Sequence, residues 1–402
     1  MSRFARPAHI ANPAVLRHFP YPPALEPILA AADLEAVRAE ITSWPGYAPT
    51  PLHDLRAMAE AAGVAAIHYK DEATRFGLAS FKALGGAYAV RRLLERLFVE
   101  RERRPARDAA ELARFARSVT VTCATDGNHG RSVAWGARRF GARCRIYIHA
   151  TVSQGRKRAI EAFGAEVVRT PGNYDDSVRR AAEDAARHGW HVVSDTSYPG
   201  YTEVPADVMR GYLLMADEAF AQLAGAPMPT HVLVQGGVGG VAAAVAARSW
   251  QILGPDRPRF IVVEPERAAC IAASIEAGER RAVAGDLDTL MAGLACGEVS
   301  LVAWEVLRLA VHDVLVIDDA AAVTVMRDLA RNDPPVVAGE SATCGLAGAL
   351  AALEYPEIAE LLGLGPASRL LVFGTEGATD PELYARLVGA EPVGRPAEEI
   401  AP

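Results

Sequence analysis

Several features that would narrow the class of this chain at once are missing from it. No apolar run approaches the roughly 20 consecutive residues that a membrane-spanning helix needs, so no membrane span is expected. The opening residues, MSRFARPAHIANPAV, lack the apolar core of a secretory signal. The five cysteines, Cys123, Cys144, Cys270, Cys296 and Cys344, are scattered, odd in number and free of CxxC spacing. That argues against a disulfide framework and a zinc site, and fits a reducing cytoplasm. An excess of basic charge is also missing. Lys and Arg number 42 against 49 Asp and Glu, a net charge of −7, which speaks against a nucleic-acid partner. The one basic stretch, RRLLERLFVERERRPARDAAELARFARS, alternates its arginines with Glu and Asp and reads as a solvated helical surface. Internal repeats and low-complexity segments are absent too, which removes solenoids and tethers. Aromatics make up only 7%.

What is present is apolar and small. Half of the 402 residues are hydrophobic, enough for a large core, and the length suits two domains. Short β-branched runs recur between Ala-rich helical segments. VTVTCA (119–124), RIYIH (145–149), EVVR (166–169) and HVVS (191–194) form one series. HVLVQ (231–235), RFIVV (259–263), VLVI (314–317) and RLLVF (369–373) form another. Strands alternating with helices imply parallel sheets covered on both faces, and two series imply two sheets. The first fifty or so residues, rich in proline, are expected to wrap the body irregularly, and the tail after Glu391 to be loop.

Three clusters could carry chemistry. In VQGGVGGVAAAV (234–245), a strand runs through glycines into a helix, so converging backbone N–H groups and a helix N-terminus make an anion site suited to phosphate. No lysine follows, so it is not a P-loop. A dinucleotide-binding oxidoreductase remains an alternative, with Glu264 as its acid, as does a purely structural turn. In TCATDGNHGRSVAWGA (122–137), Thr125, Asp126, Asn128 and His129 crowd the end of a strand, where open α/β sheets bind ligands. The plainer reading is a helix cap by Thr125 or Asp126. In SDTSYPGY (194–201), Asp195 taken alone reads as a turn acid.

The remaining stretch is ASFKALGGAYAV (79–90), where Lys82 sits among apolar neighbours. Burial lowers the pKa of an amine, and a neutral amine can condense with an aldehyde. The bland alternative is a snorkelling surface lysine. A separate phosphate loop suggests that the aldehyde carries a phosphate, and pyridoxal 5'-phosphate satisfies both requirements.

In order along the chain, APTPLHDL, YKDEATRFGLASFKALGGAYA, TDGNHGRSVAWGA, DTSYPGY, VQGGVGG, LMAGLACGE, GESATCGLAGAL and TEGATD resemble the fold-type II pyridoxal-phosphate enzymes of the tryptophan synthase β family. Within it, the blocks most resemble the diaminopropionate ammonia-lyases. The aspartate at 126 is the discriminating letter, because threonine and serine dehydratases have a small residue there. The resemblance implies an α/β fold of two domains, each with a mostly parallel sheet covered by helices. The large domain would be 1–85 with 206–402, and the small domain 86–205. It implies that Lys82 holds the cofactor and acts as a base, and that Gly236, Gly237, Val238, Gly239 and Gly240 hold its phosphate. Asn128 would bond the ring hydroxyl. Asp126 and Asp195 would be catalytic, and with Thr125, Gly127 and His129 would face a small amino-acid substrate. A homodimer and no metal are expected.

The reaction implied is α,β-elimination of D- and L-2,3-diaminopropionate to pyruvate and ammonia. The rivals are a pyridoxal-phosphate dehydratase of a hydroxyamino acid and a non-catalytic pyridoxal-phosphate binder. Three departures from the family pattern stand out. Tyr198 and Pro199 replace the usual Trp and Glu. Gly374 stands where a serine often faces the pyridine nitrogen, so Thr375 or Thr379 would substitute. Ala378 replaces an aspartate.

Overall fold

The computed structural model describes residues 2–125 and 127–392. Asp126 and the tail from 393 onward therefore lie outside the described residues. The chain forms two compact units, one of Met1–Asp33, Gly46–Phe81 and Met215–Pro402, the other of Leu34–Pro45 and Lys82–Leu214.

The strands in chain order are β1 (Ala8–Ala11), β2 (Leu52–Asp54), β3 (Ala66–Asp71), β4 (Thr120–Ala124), β5 (Arg143–Ile148), β6 (Glu166–Arg169), β7 (His191–Val192), β8 (His231–Gln235), β9 (Arg259–Pro265), β10 (Asp313–Ile317) and β11 (Arg369–Gly374). The first unit holds a seven-stranded sheet of order β1-β10-β9-β8-β11-β3-β2. Its five inner strands are parallel, and β1 and β2 close the edges antiparallel. Every residue of β8 is buried, as a strand covered on both faces requires. Helix Cys344–Glu354 supplies one cover, sharing a buried cluster with Leu233, Ile261, Val263, Leu315, Leu370 and Val372.

The expected inner strands are present. The sequence reading missed β1, β2 and β3. β1 and β2 are only four and three residues long, and β3 carries His68, Lys70 and Asp71, which mask its pattern. The proline-rich start is accordingly not merely a wrap, since it supplies β1 and the helix Asp33–Ile41.

Lys70 is accommodated by a buried ionic cluster. Its Nζ meets Glu218 Oε2 at 2.8 Å, Gln222 Oε1 at 2.9 Å and the Thr50 carbonyl at 2.8 Å. Arg75 bridges both acids, with Nε 2.8 Å from Glu72 Oε2 and Nη2 2.7 Å from Glu218 Oε2. Two cations and two carboxylates balance inside the protein, so none is left uncompensated.

The second unit carries a four-stranded parallel sheet of order β6-β5-β4-β7. Its helices Lys82–Glu102 and Asn128–Phe140 pack tightly. A Cβ on Gly86 would collide with Ser132, and one on Gly136 would lie 2.7 Å from Cα of Ala87. The apolar, Gly-rich run after Lys82 is thus a packing face, buried from Ala83 to Val90, and not the stem of a snorkelling lysine. The boundaries differ from those expected at 86 and 205. They fall at 82 and 214, and Leu34–Pro45 joins this unit. Trp44 stands edge-on to Trp135 and Phe140 at 5.6 and 5.9 Å, and Arg139 lies over its ring at 5.3 Å.

Candidate active site

The chain approaches Lys82 through a segment stitched to the end of β11. Glu72 N–H donates to the Gly374 carbonyl at 2.8 Å, Phe81 N–H to Thr375 O at 3.0 Å, and Gly377 N–H to Ala79 O at 3.0 Å. Phe76 and Ala79 both hold left-handed backbone, at φ 51° and 49°. Such conformations are costly for non-glycine residues and persist only where surrounding bonds hold them. Arg75 clamps the same segment from the ionic cluster. Lys82 follows Phe81 at once and opens its helix.

Lys82 is one of only three lysines in the chain. Lys70 is sealed in the ionic cluster, and Lys157 pairs with Glu161 at 2.5 Å. The setting of Lys82 is not the purely apolar one expected. Its Nζ lies 2.5 Å from Asp195 Oδ2. Burial would raise the carboxyl pKa of Asp195, but the Lys82 ammonium outweighs it and holds the group well below the ordinary carboxylate range. His129 Nδ1 lies 3.8 Å from the same Oδ2. Its Nε2–H donates to the Val193 carbonyl at 2.8 Å, and its buried Nδ1 has no hydrogen-bond partner among the described residues. Burial lowers the His129 pKa, so the ring is neutral and Nδ1 is a free acceptor.

Tyr201 shapes the turn that carries Asp195. Its hydroxyl accepts from Ser194 N–H at 3.0 Å and donates to Val192 O at 2.9 Å, and its ring stacks on exposed Tyr198 at 5.0 Å. Nothing local to Tyr201 marks this role beyond its place in DTSYPGY.

Thr125 is the cap of the helix that Asn128 opens. Its Oγ1 accepts from Gly127 N–H and Gly130 N–H, both at 3.0 Å. Only its own O–H proton remains for a ligand. Gly127 takes φ 155° and ψ −78°, and Arg131 Nη2 donates to Asn128 Oδ1 at 3.2 Å.

In the first unit the glycine loop leaves β8 and enters helix Gly240–Leu253. Its amides are not equivalent. Gly236 N–H donates to Val263 O at 2.9 Å, and Gly239 N–H to Gly236 O at 3.3 Å. Among the described residues, the amides of Gly237, Val238 and Gly240 are left for an anion, three and not the expected five. Gly239 needs to be glycine, because its φ is +90° and a Cβ would meet Leu307 at 2.7 Å.

Glu264, the acid of the dinucleotide alternative, is fully buried and turned to another task. It accepts from Ile271 N–H at 3.0 Å and Ala272 N–H at 2.8 Å. Its Cγ lies 2.6 Å from where a Cβ on Gly236 would be. Burial pushes its pKa up to about 8. A carboxyl capping an internal helix offers nothing to a ribose, so that reading loses its acid.

Beside the loop, Gln235 Nε2 donates to Phe373 O at 2.9 Å and to Thr375 Oγ1 at 2.5 Å. The Thr375 hydroxyl proton therefore points elsewhere. Position 374 explains its own departure from the family pattern, since a Cβ on Gly374 would fall within the ring of Tyr69. The Tyr69 hydroxyl is buried and unpartnered among the described residues, as is Thr379 Oγ1.

The residues present fit pyridoxal phosphate. The second unit has a part-buried amine, Lys82, next to a carboxylate. The first unit has a glycine turn with three open amides, flanked by Gly236 and Gly239 where a Cβ would collide, and a buried Tyr69 hydroxyl without a partner among the described residues.

The comparisons agree with the geometry. The family model described as "Pyridoxal-phosphate dependent enzyme" matches residues 43–362. Diaminopropionate ammonia-lyase of Escherichia coli strain K12 is 40% identical over 371 residues, covering 90% of this chain and 92% of that protein. A crystal structure of the E. coli lyase, in complex with an aminoacrylate-PLP azomethine reaction intermediate, superposes with a TM-score of 0.86 at 36% identity. It covers 96% of this chain and 98% of the other. The same lyase in complex with D-serine gives a TM-score of 0.85 at 35% identity, with the same coverage. No helix among the described residues is long and apolar enough to cross a membrane.

Proposed function

This chain belongs to the pyridoxal-phosphate dependent enzyme family, and from that premise we propose that it is a diaminopropionate ammonia-lyase. The overall change is elimination of the β-amino group of 2,3-diaminopropionate and hydrolysis of the product to pyruvate and a second ammonia. The observation that carries the reading is the Lys82–Asp195 pair, a lysine at the start of its helix held by a carboxylate at 2.5 Å.

Bound pyridoxal phosphate supplies an electron sink that makes a Cα–H bond acidic. Lys82 is the residue that would hold it and serves as base at Cα on one face. Asp195 Oδ2 anchors the ammonium of Lys82 whenever that amine is free, and so keeps a proton within reach. Neutral His129 presents an acceptor at Nδ1 toward the same carboxylate. Asp126 is the base for the opposite face, which is how one site would serve both D- and L-isomers. The amides of Gly237, Val238 and Gly240 bind the phosphate, and Asn128 the ring hydroxyl. Thr125 and Gly127 shape the turn that meets the substrate. For the pyridine nitrogen, the Tyr69 hydroxyl, buried and without a partner among the described residues, is a candidate beside Thr375, whose own proton is not used by Gln235. A positioned base contributes about 10²–10⁴-fold to such a reaction. A homodimer in the cytoplasm is the assembly and place we infer.

A dehydratase is the second reading, favoured by Tyr198 and Pro199 and by the lyase relative's complex with D-serine. The test is 2-oxo acid release from D- and L-2,3-diaminopropionate, serine and threonine side by side. Faster turnover of both diaminopropionate isomers is expected. Turnover confined to serine or threonine overturns the proposal in favour of the dehydratase.

A further inference from the structure

The first unit contains a cavity of about 220 Å³ lined by Arg17, His18, Pro255, Arg257, Arg259 and His312. None of its lining residues is acidic, and it shares no residue with the active site. Arg259 is matched from behind, its Nε and Nη2 lying 2.6 and 2.9 Å from the two oxygens of buried Asp313. Among the described residues, Arg17 and Arg257 have no such match.

Arg257 is the unusual member. It is only 9% exposed, its guanidinium lies 3.8 Å above the Trp250 ring, and Nη2 donates to the Leu16 carbonyl at 2.6 Å. Its Nε and Nη1 are buried and have no hydrogen-bond partner among the described residues. Burial lowers its pKa to about 10, and no carboxylate offsets the loss. Buried guanidinium groups are normally paired, and this one keeps two N–H groups without a partner among the described residues beside the cavity. The imidazole of His312 adds a donor. Phe260 N–H donates to its Nδ1 at 3.0 Å, which places the ring proton on Nε2. Burial, and then the charge of Arg257, push this histidine down to about 3, as befits a ring held among uncompensated cations. Arg17 and His18 are exposed at the rim, His18 with left-handed backbone at φ 55°.

We propose that this cavity is a binding site for a small oxyanion of the phosphate or phosphate-ester class. The planar fork of arginine matches tetrahedral oxyanions, and two unmatched guanidiniums suit a dianion better than a monocarboxylate. An ester would place its phosphate against Arg257 and Arg17 and leave its remainder at the open rim.

The experiment is calorimetric titration of the holoenzyme, at constant ionic strength and neutral pH, with inorganic phosphate in one arm and glycerol phosphate in the other. The visible absorbance of the bound cofactor is followed throughout, so that any exchange at the cofactor's own phosphate loop is seen. Saturable binding with an unchanged cofactor spectrum is expected. Arg257→Gln should weaken it by roughly tenfold or more, the loss expected of one charge-assisted contact. Arg17→Ala, at an exposed position that leaves the fold intact, should weaken it several-fold. Tighter binding of the ester than of the free ion would identify an esterified ligand, and the reverse would identify inorganic phosphate. Identical titrations of wild type and Arg17→Ala, or no saturable heat in either arm, overturn the proposal.

Discussion

Tyr69 occupies the space that a side chain at position 374 would need. The two lie on neighbouring parallel strands, with Gly374 opposite Asp71 and Val372 opposite Tyr69. Glycine at 374 and tyrosine at 69 are therefore one choice and not two. Gly374→Ser alone should lose at least about 1–3 kcal/mol of stability, the usual cost of overpacking. In a Tyr69→Ala background the same serine should cost far less, a coupling that denaturant titration of the four proteins would measure. Tyr69→Phe keeps the ring and removes only the hydroxyl. It should still bind cofactor but show a changed cofactor spectrum and a kcat lowered by roughly tenfold, about the weight of one hydrogen bond. An unchanged spectrum and kcat would return the ring-nitrogen role to Thr375 or Thr379.

Arg75 ties Glu72 and Glu218 together under the segment that leads into Lys82. Arg75→Met should leave a buried carboxylate pair without its main partner and cost about 3–5 kcal/mol in chemical denaturation. Borohydride reduction of that variant should still label Lys82, though with lower occupancy. A label on Lys70 or Lys157 would contradict the assignment of the cofactor lysine.

Glu264 yields a pH dependence. Its folded pKa is raised to about 8 by burial, while the unfolded value is ordinary, near 4.3. The folded state thus holds the proton more tightly. Its contribution is complete below about pH 4 and declines as pH rises toward 8, by up to about 1.4 kcal/mol per pH unit. Glu264→Gln removes the ionisation but gives up one of the two backbone hydrogen bonds, because its amide nitrogen cannot accept. The variant starts less stable in acid, and the difference between the two stability profiles should shift in its favour as pH rises toward 8. Parallel profiles would show that the carboxyl is ionised in the fold.

Asp126→Asn keeps the size of the side chain and removes its basicity. Turnover of D-2,3-diaminopropionate should fall by roughly 10²–10⁴-fold, with the L-isomer much less affected and cofactor still bound. Equal losses on both isomers would leave Asp126 a positioning or capping residue.

The parallel strands, the glycine turn after β8 and the unusual setting of Lys82 are legible because each is written locally, as β-branched runs, clustered glycines and a charge out of place. Less legible was everything decided by distant neighbours. Lys70 makes β3 look like loop, and partners far along the chain, Glu218 and Gln222, make its burial tolerable. Thr125 was a candidate for substrate, yet its oxygen is already occupied by two amides of its own helix. The glycine loop reads as a phosphate holder over all five residues from Gly236 to Gly240, whereas two of their amides are spent on Val263 and on the turn itself. Glu264 sat at a suggestive spacing, and the fold buried it under Gly236. Tyr69 gave no signal at all, since its role exists only because position 374 has no side chain.

All three of the chain's lysines sit in ion pairs: Lys70 in the buried cluster, Lys157 on a helix surface and Lys82 with Asp195 at the candidate site. Nearly all other positive charge is carried by arginine, whose guanidinium stays protonated and does not condense with carbonyls as an amine does. A protein that must capture a reactive aldehyde at one point thus offers it almost no decoys among its side chains. Selectivity of that kind works by subtraction, and adding a lysine to an exposed helix would erode it without touching the active site.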